Sequence, residues 1–279
     1  MNSVVLSVVL FGALLHASWN LLVKTRPNKQ AATALIYVSA GFVAGAVLPF
    51  LPMPDAASWP YLTASTATEL LYGIVLAAAY KAGDLSHAYP LMRGTAPLLV
   101  ALGSSLLVGE QLPRVVWGGI VLMSCAIFSL VFEARTRGAS ASSTTVLALI
   151  NAFIIAAYTV IDGVGARKSG HPLAYSLWLF ALLSVAWVVW IALRRRHYRW
   201  GDLRREIPAG LIGGACSLAS YSVALWAMTR APIAAVAAVR ETSIVFGTVL
   251  GAVVLRERVT WVRACAALAI TVGAWLIRA

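Results

Sequence analysis

The sequence predicts an all-α integral membrane protein of ten transmembrane helices, and three observations predict it. Of 279 residues, 61% are hydrophobic and only 11% are charged, whereas a soluble domain is about 25% charged. A soluble fold with so few polar side chains has no means of covering its surface, so part of its solvent is lipid. Apolar runs of the roughly 20 residues that cross a hydrocarbon core recur along the whole chain. The breaks between them carry turn and charge signals, as at Lys24-Thr-Arg-Pro-Asn-Lys29 and Pro52-Met-Pro-Asp55.

The first span, near 3–23, follows Met1-Asn2-Ser3. No basic segment precedes it and no clear small-residue cleavage site follows, which predicts a retained helix and not a signal peptide. Spans are then expected near 31–52, 64–82, 87–108 and 113–132, the fourth closing on Gly109-Glu-Gln-Leu-Pro113 and the fifth before Arg135-Thr-Arg-Gly138. The remainder fall near 144–164, 172–193, 208–228, 233–255 and 260–277, with the longest polar loop at Arg194 to Glu206 and a charged break at Arg256-Glu-Arg258. Ten spans leave no room for a soluble domain. Gly41-xxx-Gly45, Gly210-xxx-Gly214 and Gly247-xxx-Gly251 are positions where helices can approach closely.

The net charge of +12 does not indicate nucleic acid, because the basic residues sit in short gaps between apolar runs and not on one face. Their distribution orients the chain instead. Loops after odd-numbered spans hold 15 Lys and Arg, among them Lys24, Lys81, Arg135, Arg194 and Arg256, and the other side holds 5. The first set is expected in the cytoplasm, of a cytoplasmic (inner) membrane, which puts both termini outside it. Cys125, Cys216 and Cys265 fall inside apolar runs, an arrangement that argues against a disulfide framework.

Two arginines remain inside spans, and they expose a repeat. Arg93 lies in Tyr89-Pro-Leu-Met-Arg-Gly-Thr-Ala-Pro97 and Arg240 in Ala237-Ala-Val-Arg-Glu-Thr-Ser-Ile244. Each precedes a glutamate, Glu110 or Glu257, by 17 residues, and the offset between the copies is 147. Leu14-Leu-His-Ala-Ser-Trp19 resembles Phe153-Ile-Ile-Ala-Ala-Tyr158, and Tyr72 corresponds to Tyr221. Residues 1–138 and 139–279 thus each hold five spans. Five is odd, so the halves sit in opposite orientations. Inverted repeats of this kind build secondary transporters, with the site near the midplane where the halves meet.

Over nearly its whole length the sequence resembles the EamA-type branch of the drug/metabolite transporter superfamily. The resemblance rests on the duplicated five-span unit, on Gly83-Asp-Leu-Ser-His-Ala-Tyr-Pro-Leu-Met-Arg-Gly-Thr-Ala-Pro-Leu-Leu99 closing on Gly109-Glu110, and on Ala231-Pro-Ile-Ala and Arg240-Glu-Thr-Ser closing on Glu257. It implies two inverted five-helix repeats around a central cavity open alternately to either side. It also implies a permease for metabolites, amino acids, sugars or toxic compounds. It implies cytoplasmic termini too, and on this point the threefold charge bias is preferred.

Arg93 and Arg240 are the first candidates for a substrate site, because an arginine within a span is costly unless it pairs or faces water. Their guanidiniums suit a carboxylate, phosphate or phosphonate. Arg93 has no acid beside it in sequence, whereas Arg240 is followed by Glu241. That glutamate is expected to meet another helix or to titrate. His16 and Asn20 are one turn apart with Trp19 beside them, which predicts a polar stripe lining a cavity. Tyr158 and Asp162 are likewise one turn apart, and Asp162 lies near its span's end. Glu69, Tyr72 and Tyr80 in span three, and Tyr221 and Trp226 in span eight, complete the substrate-site candidates. Tyr80 and Trp226 also suit the interfacial aromatic belt. Glu241, Glu69 and Asp162 are the candidates for coupling or charge pairing. Glu110 and Glu257 read as structural acids at helix ends.

No HExxH, CxxC, GxSxG or phosphate-loop motif occurs. The expectation is a carrier and not an enzyme, without metal or cofactor, working as a monomer or homodimer. Its partners are a small-molecule solute and membrane lipids. The solute is expected to be an anionic or amphoteric metabolite, such as an amino acid or phosphonate. A lipid or lipid-linked-sugar flippase on the same fold is the alternative.

Overall fold

The computed structural model describes residues 1–82, 85–135, 142–193 and 200–278. Arg137, the basic loop residues Arg194 to Arg199, and the side chains of Tyr80 and Lys81 lie outside the described residues. Among the described residues all regular structure is helical.

The chain runs through α1 (Ser3–Lys24), α2 (Lys29–Val47), α3 (Trp59–Ala82), α4 (Leu85–Gly103), α5 (Arg114–Arg135) and α6 (Ser142–Lys168). It continues through α7 (Pro172–Leu193), α8 (Trp200–Met228), α9 (Ile233–Arg240), α10 (Ser243–Leu255) and α11 (Trp261–Arg278). Local chemistry sets several boundaries. The side chains of Asn2 and Asn28 accept hydrogen bonds from the amides of Val4 and Ala31, capping α1 and α2. A π-helical turn over Ser104–Val108 extends α4, and Gly109 ends it at φ 77°. A φ of that sign favours glycine. Arg256 takes the same left-handed conformation, φ 56°, at the end of α10.

Nine described segments are long and apolar enough to cross a membrane, with α9 and α10 counting together as Ile233–Leu255. The tenth expected span, α3, has 24 residues but is not among the nine. It carries Thr63, Thr66, Thr68, Glu69 and Tyr72, and its threonine hydroxyls return hydrogen bonds to carbonyls of their own helix. It packs on α6 and α7, and Glu69 is buried.

The outside of the bundle is apolar, with Phe42, Phe50, Leu106, Leu107, Phe132, Val253, Trp261 and Trp275 all exposed. The inside holds Glu69, Asp162, Glu241, Asn151 and several serines, all buried. This is the polarity of a chain solvated by lipid, in which ionisable groups turn to the bundle interior. Helix α1 packs on α8, α9 and α10, and α6 packs on α3 and α4. Helix α2 packs on α7 and α5 on α11, so contacts join the two halves of the sequence.

Of the three small-residue pairs, Gly210 and Gly214 lie in a close crossing of α8 on α2. A Cβ at Gly214 would stand 2.8 Å from the Ala40 amide nitrogen and the Ile36 carbonyl, whereas one at Gly247 would meet nothing. Gly214→Leu is therefore expected to lower the melting temperature in detergent strongly, by overpacking worth about 1–3 kcal/mol or more. Gly247→Ala is expected to leave it within a degree or two. Equal behaviour of the two variants would contradict this account of the crossing.

Candidate functional site

The interior polar groups converge on one cavity between the halves. Helix α1 contributes His16, Trp19 and Asn20, α3 contributes Glu69 and Tyr72, and α4 contributes Tyr89 and Arg93. From the second half come Tyr158 on α6, Ser217, Ser220 and Tyr221 on α8, and Arg240 at the end of α9. Tyr37 and Phe180 close it. The open space is about 60 Å³, room for roughly four to six water molecules at about 10–15 Å³ each.

The backbone is irregular where the two arginines enter. Pro97 has no amide to return to the carbonyl of Arg93, so α4 loses a helical hydrogen bond there. On the other side the chain breaks between α9 and α10 at Glu241 and Thr242. Arg240 thus sits in the last turn of a short helix, where carbonyl ends favour a cation. Interrupted helices at the centre of a bundle free backbone and side chains to face a cavity.

The two arginines differ in partner. Arg93 Nε donates to Glu241 Oε2 at 2.9 Å, with side-chain exposures of 11% and 6%. This bond joins α4 of the first half to the α9–α10 break of the second. The sequence presents Arg93 as the arginine without an acid; the tertiary structure reverses that, because Glu241 reaches across to α4 and not back to its chain neighbour. Arg240 has no carboxylate partner among the described residues. Its guanidinium lies over the Tyr221 ring, 5.0 Å from the centroid. A smaller recess behind this pair is lined by Thr159, Arg240, Glu241 and Arg93.

Hydrogen bonding orders the rest. Asn20 Nδ2 donates to the His16 carbonyl at 2.7 Å. His16 and Trp19 meet edge to face with centroids 5.2 Å apart. The Trp19 indole N–H is buried without a hydrogen-bond partner. Tyr72 and Tyr158 form an edge-to-face pair across the halves. Asp162 is fully buried and accepts hydrogen bonds from Tyr175 at 2.9 Å and Tyr221 at 2.5 Å.

Of the expected site residues, His16, Trp19, Asn20, Glu69, Tyr72, Arg93, Tyr158, Tyr221 and Arg240 line this one cavity. Glu241 lies directly behind it. Asp162 is not in the lining; it is buried behind Tyr221, whose hydroxyl donates to it. Trp226 is not in the lining: it is five residues beyond Tyr221, about 140° around the helix, and carries the Arg230 guanidinium at 5.0 Å. Tyr37, Tyr89, Phe180, Ser217 and Ser220 were not expected. Tyr89, one turn before Arg93, and Ser217, one turn before Tyr221, were legible from spacing; Ser220, next to Tyr221 in sequence, was not. Tyr37 and Phe180 stand in apolar surroundings that gave no signal. Glu110 caps a helix, but not its own: Oε1 accepts the Ile233 amide of α9 at 2.9 Å and pairs with Arg167 at 2.5 Å.

Because Arg93 and Glu241 neutralise one another out of water, removing one leaves a buried charge, a loss of about 3–5 kcal/mol. Arg93→Gln and Glu241→Gln are each expected to lower the melting temperature sharply. The double variant, which leaves no unpaired charge, is expected to be closer to wild type than either. Additive losses in the double variant would count against the pair.

No curated protein matches the sequence. Among solved structures, 28 chains match. One, described only as a crystal structure of a protein, covers 99% of this chain and 96% of its own with a TM-score of 0.76 at 19% identity, a likeness of fold alone. The model of the EamA-like transporter family matches residues 142–279. With its apolar exterior and polar interior, the chain is a multi-pass membrane protein carrying an EamA-like transporter family domain at residues 142–279, and that domain belongs to the drug/metabolite transporter superfamily.

Proposed function

We propose that the chain is a secondary transporter that moves a small anionic or amphoteric organic solute, such as an amino acid or a phosphonate, by alternating access. The observation that carries this reading is the guanidinium of Arg240: it faces the central cavity and, among the described residues, has no carboxylate partner. A cation that faces a cavity and is not salt-bridged to a carboxylate suits the acid group of a solute. Trp19 supplies a free N–H, and the tyrosines supply walls for an organic body. The small volume fits a small solute better than a lipid or lipid-linked sugar.

Several features support a duplicated, inverted architecture. The amides of Glu110 and Glu257 each return to the carbonyl six residues back, Ser104 and Gly251, at the same offset as the arginines. Each of these glutamates then grips the other half. Glu110 holds Arg167 and the start of α9, while Arg167 also donates to the carbonyls of Met228 and Ala231. Glu257 holds Lys24 at 2.7 Å. On the inverted reading these two clasps lie at opposite ends of the bundle. The Glu110 clasp is the more buried, with side-chain exposures of 9% and 31% for Glu110 and Arg167, against 34% and 52% for Glu257 and Lys24. One tight and one loose end is the arrangement expected of a carrier closed on one side. The Lys and Arg count places the loose end in the cytoplasm of an inner-membrane protein with both termini outside.

Arg240→Gln is expected to weaken solute binding by roughly tenfold to a hundredfold, the value of a charge-assisted hydrogen bond of about 1.5–3 kcal/mol. The measurement is a thermal-shift screen of purified protein against organic acids and amino acids, followed by titration of the best binder. Unchanged affinity in the variant would remove Arg240 from the site. A reporter fused after Ala279 is expected to register outside the cytoplasm; cytoplasmic activity would overturn the orientation.

A further inference from the structure

Charges of both signs line the central cavity, and they do not pair with each other. Arg93, Arg240 and Glu69 are its charged walls. Arg93 is taken from behind by Glu241, at 2.9 Å. Asp162, a further buried carboxylate, is outside the lining and accepts from Tyr175 and Tyr221. One guanidinium and one carboxyl group are left facing the cavity. Arg240 stands on the ring of Tyr221. Glu69 is 9% exposed and, among the described residues, no salt bridge reaches it.

A carboxylate withdrawn from water needs a counter-charge, and the described residues offer Glu69 none. A cationic nitrogen on the solute supplies one. The walls of the cavity suit such a group. Half of the residues lining it are Trp, Tyr or Phe, whose ring faces attract cations where an aliphatic wall does not. Tyr72 follows Glu69 by three residues and so shares its face of α3. Tyr158 from the second half meets Tyr72 edge to face, with centroids 5.8 Å apart. One ring of the cavity already carries a cation, since Arg240 lies 5.0 Å from the Tyr221 centroid. We propose that Glu69, with Tyr72 and Tyr158, is an ammonium subsite, and that the solute is a zwitterion whose acid group rests on Arg240 and whose cationic nitrogen rests on Glu69.

The ammonium subsite rests on the reading of Arg240 given above and narrows it. A simple carboxylate or phosphonate satisfies Arg240 and leaves Glu69 without a counter-charge, in a space of about 60 Å³. A plain amine satisfies Glu69 and leaves Arg240 without one. A molecule carrying both groups satisfies both. Its net charge also matches that of the walls, so the filled cavity holds no excess charge away from water. So small a space suits a molecule whose two charges are a few bonds apart, as in an α-amino acid.

The test is a ligand series on the purified wild-type protein, read by isothermal titration. The probes are alanine, propanoate and ethylamine, then leucine, 4-methylpentanoate and isoamylamine. Each trio keeps the side chain and removes one charged group at a time. At least one amino acid is expected to bind about tenfold or more tighter than both of its partners, the value of a charge-assisted hydrogen bond. Glu69→Gln is expected to remove the preference for amino acid over acid and to leave binding of the acid in place, whereas Arg240→Gln is expected to weaken both. Where Glu69→Gln does not fold, the wild-type series decides by itself. An acid that binds as tightly as its amino acid, or a preference that survives Glu69→Gln, would overturn the ammonium subsite and leave the anion reading standing. An amine that binds as tightly as its amino acid would overturn both. No binding by any of these probes would overturn the zwitterion, and the organic-acid screen above then decides the anion reading separately.

Discussion

The hydrogen-bonded pair of Arg93 and Glu241 is the contact on which the centre of this molecule depends. Each charge lies deep in a chain whose outer solvent is lipid, and each would be severely destabilising alone. Their bond crosses from the first half to the second, so satisfying either charge brings the halves together. It also places α4, with Pro97 beneath Arg93, against the break between α9 and α10. Backbone groups released by these interruptions end up beside water-sized space and not beside lipid.

The same pair determines which arginine is available. Since Glu241 is committed to Arg93, Arg240 is left with the face of Tyr221. The asymmetry matters because the two arginines recur at an offset of 147 residues, each 17 residues before a glutamate. Only the second has an acid beside it in sequence, and that acid crosses to neutralise the first. One cation then serves cohesion and the other faces the cavity. Tyr221 connects this cation to Asp162, since its ring bears the guanidinium while its hydroxyl donates to that carboxylate.

At the ends of the bundle the logic is looser. Glu110 satisfies an orphan amide at the start of α9 and an arginine that also holds two carbonyls. Glu257 holds only exposed basic groups, Lys24 and the more distant Arg263. A carboxylate that caps another half's helix resists separation; one that meets a mobile lysine in water does not, because exposed pairs contribute about 1 kcal/mol or less. The two clasps therefore differ in how easily they part, although their backbone turns are alike.

The membrane-spanning helices, the pairing of Arg93 with Arg240 at an offset of 147, and the stripe of His16, Trp19 and Asn20 were legible in the sequence. Hydropathy, spacing and helical period are properties of the local chain. The weak apolarity of α3 was legible in its threonines as well, though its span was counted with the rest. What the sequence by itself could not determine is who meets whom across helices. Glu241 was expected to meet another helix, but not a particular one, and Trp226 stood among the cavity candidates; the packing brings Glu241 to Arg93 and leaves Trp226 outside the lining. A side chain's partner depends on the rotation of two helices about their axes, to which neighbouring letters contribute only the phase. Tyr37, Glu69, Phe180 and the Tyr221–Asp162 bond join residues from α2, α3, α7, α8 and α6, and only the packing of those helices brings them to one place.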